Sequence, residues 1–191
     1  MFNAGTMNEK QMVRASKRIS LHLRHAPEEI GLVLGRGGWA GVDELLDALG
    51  RHGLSLTRGE LDEIVSSSDK QRFAFDETGT LIRANQGHSV SVDLELPESK
   101  PPDVLFHGTV ATALPAIRRE GLRPMERHQV HLSASEETAT KVGSRRGRPV
   151  VLHVDAARMS ADGHRFLVSA NGVWLVDTVP PEYLTQPASA P

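Results

Sequence analysis

The chain of 191 residues has no cysteine, which excludes disulfide bridges and thiolate metal sites. It has no apolar run long enough to cross a bilayer as a helix. No charged segment followed by an apolar one opens it, so the expectation is a cytoplasmic protein with no membrane partner. Strong charge of one sign is also missing: a net charge of −2 gives no overall attraction to nucleic acid. No internal repeat or long low-complexity tract is present.

What is there suffices for a globular fold. A hydrophobic content of 39% over this length can bury a core, in one domain or two small ones. Local charge departs from the average in KVGSRRGR, where Lys141, Arg145, Arg146 and Arg148 stand without an acidic residue. Taken alone this run is a solvated loop, and phosphate neutralisation is the alternative.

Prolines divide the chain. Pro97, Pro101 and Pro102 in SVDLELPESKPPD mark a linker, with a boundary near residue 100. MFNAGTM and QPASAP at the two ends read as a frayed terminus and a disordered tail.

Before the linker, Met12, Ala15, Ile19 and Leu23 recur at helical spacing, and Pro27 predicts a helix end near His25. Asp43 and Glu44 open a second helix that Gly50 or Gly53 can close. Thr57 and Glu60 form a capping box for a third. KQRFAF and TLIRANQG, about the turn DETG, read as a hairpin. Three helices and a hairpin suggest a winged-helix arrangement.

After the linker come the short strands DVLFHGT, QVHLS, RPVVLHVD and NGVWLV, with one helix, ATALPAIRREG, closed by Gly121. The fold class expected is α+β.

Strand parity sorts the polar residues. If RHQVHLS is extended, Arg127, Gln129, His131 and Ser133 share a face, unless Arg127 lies in the preceding loop. In the hairpin, Lys70, Arg72 and Ala74 face away from Gln71, Phe73 and Phe75. Nine histidines raise the question of a metal. His128 and His131 point to opposite strand faces, and His22 and His25 lack a carboxylate partner, so no metal site is expected.

HGT at His107 to Thr109 and HLS at His131 to Ser133 suit a two-histidine phosphoesterase that works without a cofactor. A non-enzymatic winged-helix nucleic-acid binder is a further alternative. Arg24, Arg72 and Arg127 each adjoin a structural signal, and guanidinium groups bind phosphate oxygens in pairs.

In order along the chain stand SKRISLHLRHAP, GWAGVDELL, DKQRFAF, IRANQGHS, LFHGT, GLRPMERHQVHLS, RPVVLHVD and SANGVWLVDTVPPEYL. In these stretches the chain resembles the NAD-dependent RNA (tRNA) 2′-phosphotransferases, which remove a tRNA splice-junction 2′-phosphate.

The resemblance implies an N-terminal winged-helix lobe over 1–100 and a C-terminal lobe like an ADP-ribosyltransferase over 101–191, with the active site in a cleft between them. It implies a catalytic set of Arg24, His25, Arg72 and Arg127, with His25 handling a proton or orienting the phosphate. NAD, consumed as co-substrate, would meet His107, Gly108, Thr109, His131, Ser133 and Asn171, with Gly108 allowing a close backbone approach. An RNA bearing an internal 2′-phosphate would meet Arg83, Gln86, His88, Ser89, Arg145, Arg146 and Arg148. No metal and no obligate protein partner are implied. Asp155, Trp39 and Trp174 read as structural.

The implied reaction has two steps. The RNA 2′-phosphate attacks the nicotinamide-bearing ribose carbon of NAD and expels nicotinamide, giving an ADP-ribosylated RNA 2′-phosphate. The ribose 2″-hydroxyl then attacks that phosphate, leaving a 2′-hydroxyl on the RNA and ADP-ribose 1″,2″-cyclic phosphate. Val173 stands where many ADP-ribosyltransferases carry a glutamate, which disfavours a protein-modifying activity.

Overall fold

Asn8 starts the first helix: its side chain accepts from the Gln11 amide at 3.0 Å, and Gln11 reaches back to the Asn8 amide at 2.9 Å. A reciprocal cap of this kind is worth about 1 kcal/mol. The computed structural model describes residues 7–68 and 71–186. Met7, expected to fray, packs against the core, while the rest of that stretch and the tail from 187 on lie outside the described residues.

The chain separates into two compact units, Met1–Glu95 and Leu96–Pro191. The proline segment expected as a linker is fixed to the second. Ser99 donates to the Phe166 carbonyl at 2.9 Å, and Glu98 bridges Leu167. The preceding stretch is held by the first: Gly37 donates to the Asp93 carbonyl, and Arg36 pairs with Glu95.

In the first unit, α1 (Glu9–Arg24), α2 (Val42–Arg51) and α3 (Arg58–Ser66) accompany a three-stranded antiparallel sheet. Its strands are β1 (Ala40–Gly41), β2 (Phe73–Phe75) and β3 (Leu81–Ala84), in the order β1-β3-β2. Thr57 and Glu60 form the expected capping box. Ala15, Ile19 and Leu23 join Leu45, Leu49, Leu61, Ile64, Phe73 and Ile82 in one buried cluster. Each fully buried Leu or Ile contributes roughly 1.5–3 kcal/mol.

The hairpin strand is shorter than expected. Gln71 takes φ 39°, outside the extended region, so β2 begins only at Phe73 and Arg72 precedes it. The alternating row through Arg72 therefore does not form; Lys70 lies outside the described residues.

In the second unit, β4 (Val104–Val110) pairs antiparallel with β6 (Pro149–Asp155) over its whole length, and β6 pairs with β9 (Leu184–Thr185). A second sheet sets β8 (Trp174–Val176) between β5 (Val130–Leu132) and β7 (Leu167–Val168). Phe106 and Ser133 exchange backbone hydrogen bonds at 2.9 and 2.8 Å, tying β4 to the end of β5. Leu105, Leu132, Val154, Met159, Phe166 and Val176 are buried together.

Among the described residues, three helices complete this unit: α4 (Leu114–Glu120), α5 (Glu136–Gly143) and α6 (Ala156–Ala161). All described pairings are antiparallel, so the architecture is α+β.

The basic run is not a loop. Ser135 caps α5 through the Thr138 amide, Lys141 lies within that helix and pairs with Glu137, and Ser144–Arg146 adds a short 3-10 turn. Asp155 caps α6 through the Arg158 amide at 3.0 Å, a structural role.

Candidate active site

The first unit gathers part of the expected set at the end of α1. Leu23 is buried, Arg24 half-buried and His25 exposed, because consecutive residues rotate away from the core as the helix ends. The loop after β3 closes over that end. The Ser89 amide donates to the Arg24 carbonyl at 2.9 Å, and His25 Nδ1 lies 2.9 Å from Ser89 Oγ. Arg24 Nη2 donates to the Arg72 carbonyl at 3.3 Å, while Arg72 Nη1 donates to Ser68 Oγ at 3.3 Å. Arg24, His25, Arg72 and Ser89 are thus in one place. They line or adjoin a cavity of about 630 Å³, to which His25 and Arg72 contribute directly.

Asn85 belongs to this cluster and was not among the expected residues. It is buried, its amide donates to the Arg72 carbonyl at 2.9 Å, and its side-chain Nδ2 donates to the Gln71 carbonyl at 2.5 Å. Asn85 therefore holds the left-handed turn at Gln71 that presents Arg72. The only sequence signal was an asparagine following a strand.

Other expected residues make contacts within the fold of the first unit. The Arg83 guanidinium stacks 4.6 Å from the Trp39 ring centre and donates to the Gly37 and Leu94 carbonyls. That commits it away from Arg24 and His25. His88 is buried against Gly38, so it presents no exposed surface to RNA. Gln86 is half-buried on the same loop.

The second unit holds the remaining residues. His107, on β4, lies with Nδ1 3.1 Å from the His131 carbonyl. A carbonyl only accepts, so Nδ1 carries the proton, and in the neutral ring Nε2 keeps its lone pair. Burial pushes the His107 pKa down, the His131 carbonyl opposes this, and the positive charges of Arg146 and Arg127 push it down further. At neutral pH His107 is an uncharged acceptor. His131 Nδ1 lies 3.0 Å from the Gln129 carbonyl.

Arg127 lies in the turn before β5, its amide bonded to the Pro124 carbonyl at 3.1 Å, and not in a strand row with Gln129 and His131. Partial desolvation, then the like charges of Arg146 and Arg145, lower its pKa, yet a guanidinium stays charged in water near neutrality. None of these three arginines makes an ion pair among the described residues. Arg148 is exposed just ahead of β6.

Gly108 has a reason within the fold itself. A Cβ there would stand 1.8 Å from the Ala139 carbonyl oxygen and 2.9 Å from the Gly143 amide. That direction is filled by α5, so the glycine serves helix packing on that side. Thr109 is buried, and Ser133 is fixed by its bridge to Phe106. Asn171 sits in the turn entering β8, where Ser169 Oγ donates to its Oδ1 at 2.6 Å and accepts from the Val173 amide at 3.1 Å.

Chemically, the first unit offers oriented cationic donors beside an imidazole. The second offers a neutral imidazole acceptor beside the cations Arg127 and Arg146. Such an arrangement suits ligands that carry both hydroxyl groups and phosphates.

The chain matches known proteins over most of its length. The family described as "RNA 2'-phosphotransferase, Tpt1 / KptA family" matches residues 10–178. The chain is 59% identical over 182 residues to a "Probable RNA 2'-phosphotransferase" of Streptomyces coelicolor, covering 95% of this chain and 99% of that protein. It is 57% identical over 185 residues to a protein of the same description from Streptomyces griseus, covering 93% and 98%. A third, from Trichormus variabilis, is 55% identical over 178 residues, covering 93% and 98%.

Proposed function

Because the chain belongs to the RNA 2′-phosphotransferase family, Tpt1 / KptA, we propose that it transfers an internal RNA 2′-phosphate to NAD. The products are RNA with a free 2′-hydroxyl, nicotinamide and ADP-ribose 1″,2″-cyclic phosphate. The observation that carries this reading is that Arg127 and Arg146 act on His107, and Arg145 and Arg146 on Arg127, with no ion-pair partner for any of the three arginines among the described residues. Mutual repulsion among them is relieved when an anionic ligand arrives.

The residues divide the work by their chemistry. Arg24, steadied by the Arg72 carbonyl, and Arg72, steadied by Ser68, hold phosphate oxygens through paired N–H groups. Arg127 supplies a further positive charge as negative charge shifts across the phosphoryl group. His25, held at Ser89 Oγ, takes or returns the proton of a ribose hydroxyl in the second step.

His107 Nε2 fits NAD as an acceptor for a ribose hydroxyl, since its other nitrogen is already committed to the His131 carbonyl. NAD supplies the glycosidic bond that breaks when nicotinamide leaves. Arg145, Arg146 and Arg148 draw in the RNA strand. Under this reading the first unit is the winged-helix lobe and the second the ADP-ribosyltransferase-like lobe.

The test is a 2′-phosphorylated oligonucleotide incubated with and without NAD. Loss of the phosphate together with nicotinamide release, only when NAD is present, is the expected result. Equal loss without NAD overturns the reading and favours a two-histidine phosphoesterase. In the same assay Arg127→Ala lowers turnover by roughly 10²–10³-fold, the scale of one lost transition-state donor. An unaffected rate removes Arg127 from the set.

A further inference from the structure

Val13, Ser16, Lys17, Ser20 and Leu21 recur along α1 at the three- and four-residue spacing of a single stripe. This is not the stripe that enters the core, which carries Ala15, Ile19 and Leu23. It runs toward His25 and faces Ser67 and Ser68 at the end of α3, so that together they line the 630 Å³ cavity also lined by His25 and Arg72. About 18 Å of helix separates Val13 from His25.

Two features of the lining point to a ligand. Val13 and Leu21 are 49% and 42% exposed, apolar surface left open on one stripe of one helix. Beside them, Ser16, Lys17 and Ser20 make no side-chain hydrogen bond or ion pair among the described residues. The groove thus pairs apolar patches with unspent donors.

We propose that this groove holds the single-stranded ribonucleotides adjoining the 2′-phosphorylated one. The inference rests on the function proposed above, which places that phosphate at Arg24, His25 and Arg72. A strand leaving the phosphate meets hydroxyls and the Lys17 ammonium suited to its backbone, and Val13 and Leu21 suited to base faces. A duplex keeps its base faces stacked and cannot use the apolar patches. The ionisable groups lining the groove are Glu9, Lys17, His25 and Arg72. Glu9, at the far end, repels phosphate and sets the limit of the track.

Two substrates test the assignment: a dinucleotide carrying the 2′-phosphate, and the same unit extended by several nucleotides on both sides. Wild type favours the longer one through KM. Lys17→Glu and Leu21→Glu, both at solvent-facing positions, each raise KM for the long substrate roughly five- to tenfold, the scale of one or two lost backbone or base contacts. The KM ratio between the substrates then falls toward one, while KM for NAD keeps its wild-type value. A ratio unchanged in both variants overturns the groove assignment and leaves the proposed function standing. An equal rise for both substrates overturns it as well. Wild type that removes the phosphate from neither substrate overturns the proposed function, and the groove assignment with it.

Discussion

His107 shows how one side chain is set by three neighbours. The His131 carbonyl fixes its tautomer, burial disfavours its charge, and Arg146 and Arg127 disfavour it further. Its pKa in the folded chain lies below the ordinary 6.5. Between those two values the unfolded chain binds the proton that the folded chain rejects. Stability therefore rises with pH across that window, and on acidification the loss begins near the ordinary value and is complete below the folded one. His107→Asn keeps a donor for the His131 carbonyl but does not titrate. Denaturant unfolding of wild type and variant from neutral to mildly acidic pH should show a smaller acid loss in the variant. Superimposable pH profiles would show that His107 is not held neutral. The same neutrality leaves Nε2 able to accept from a ribose hydroxyl near pH 7.

Among the elements, α5 and β4 carry the closest fit. The Gly108 Cα faces the Ala139 carbonyl so tightly that an added methyl meets backbone, which cannot swing aside as a side chain could. Gly108→Ala should destabilise the protein by about 1–3 kcal/mol or more, read as a lowered Tm. A Tm equal to wild type would mean that α5 shifts freely on β4. This contact also explains what the sequence concealed. Apolar periodicity made α1 legible, and the Thr57–Glu60 box made α3 legible, because both signals are local. The helix α5 is short, and its signal lies in a single cap, Ser135, with Glu136 and Glu137 in the first turn, ahead of a basic end that reads as a loop. Parity failed at Arg72 and Arg127 for one reason: each stands in a turn just ahead of a strand, where alternation has not begun. At the site, Arg24, His25 and Arg72 were legible through the resemblance, whereas Asn85 acts only through contacts with Gln71 and Arg72 that no spacing in the sequence reveals.

For the whole molecule, the charge balance sets how RNA is met. A net charge of −2 provides no long-range attraction, so binding depends on where the cations are placed. Lys141 is paired with Glu137, which leaves Arg145, Arg146 and Arg148 as the cations of that run with no ion-pair partner among the described residues. Each phosphate they neutralise releases counterions, and for a single strand each contributes about 0.7 to the slope of log affinity against log salt. Replacing Arg145 and Arg148 by glutamine should therefore weaken binding of 2′-phosphorylated oligonucleotides alike whatever their sequence, and flatten the slope by roughly 1.4 if both touch the strand. Fluorescence anisotropy across a salt series, on several sequences of one length, measures both quantities. A slope equal to wild type would assign these two arginines to an ordinary solvated surface, and the attraction for RNA would then have to come from cations elsewhere in the chain.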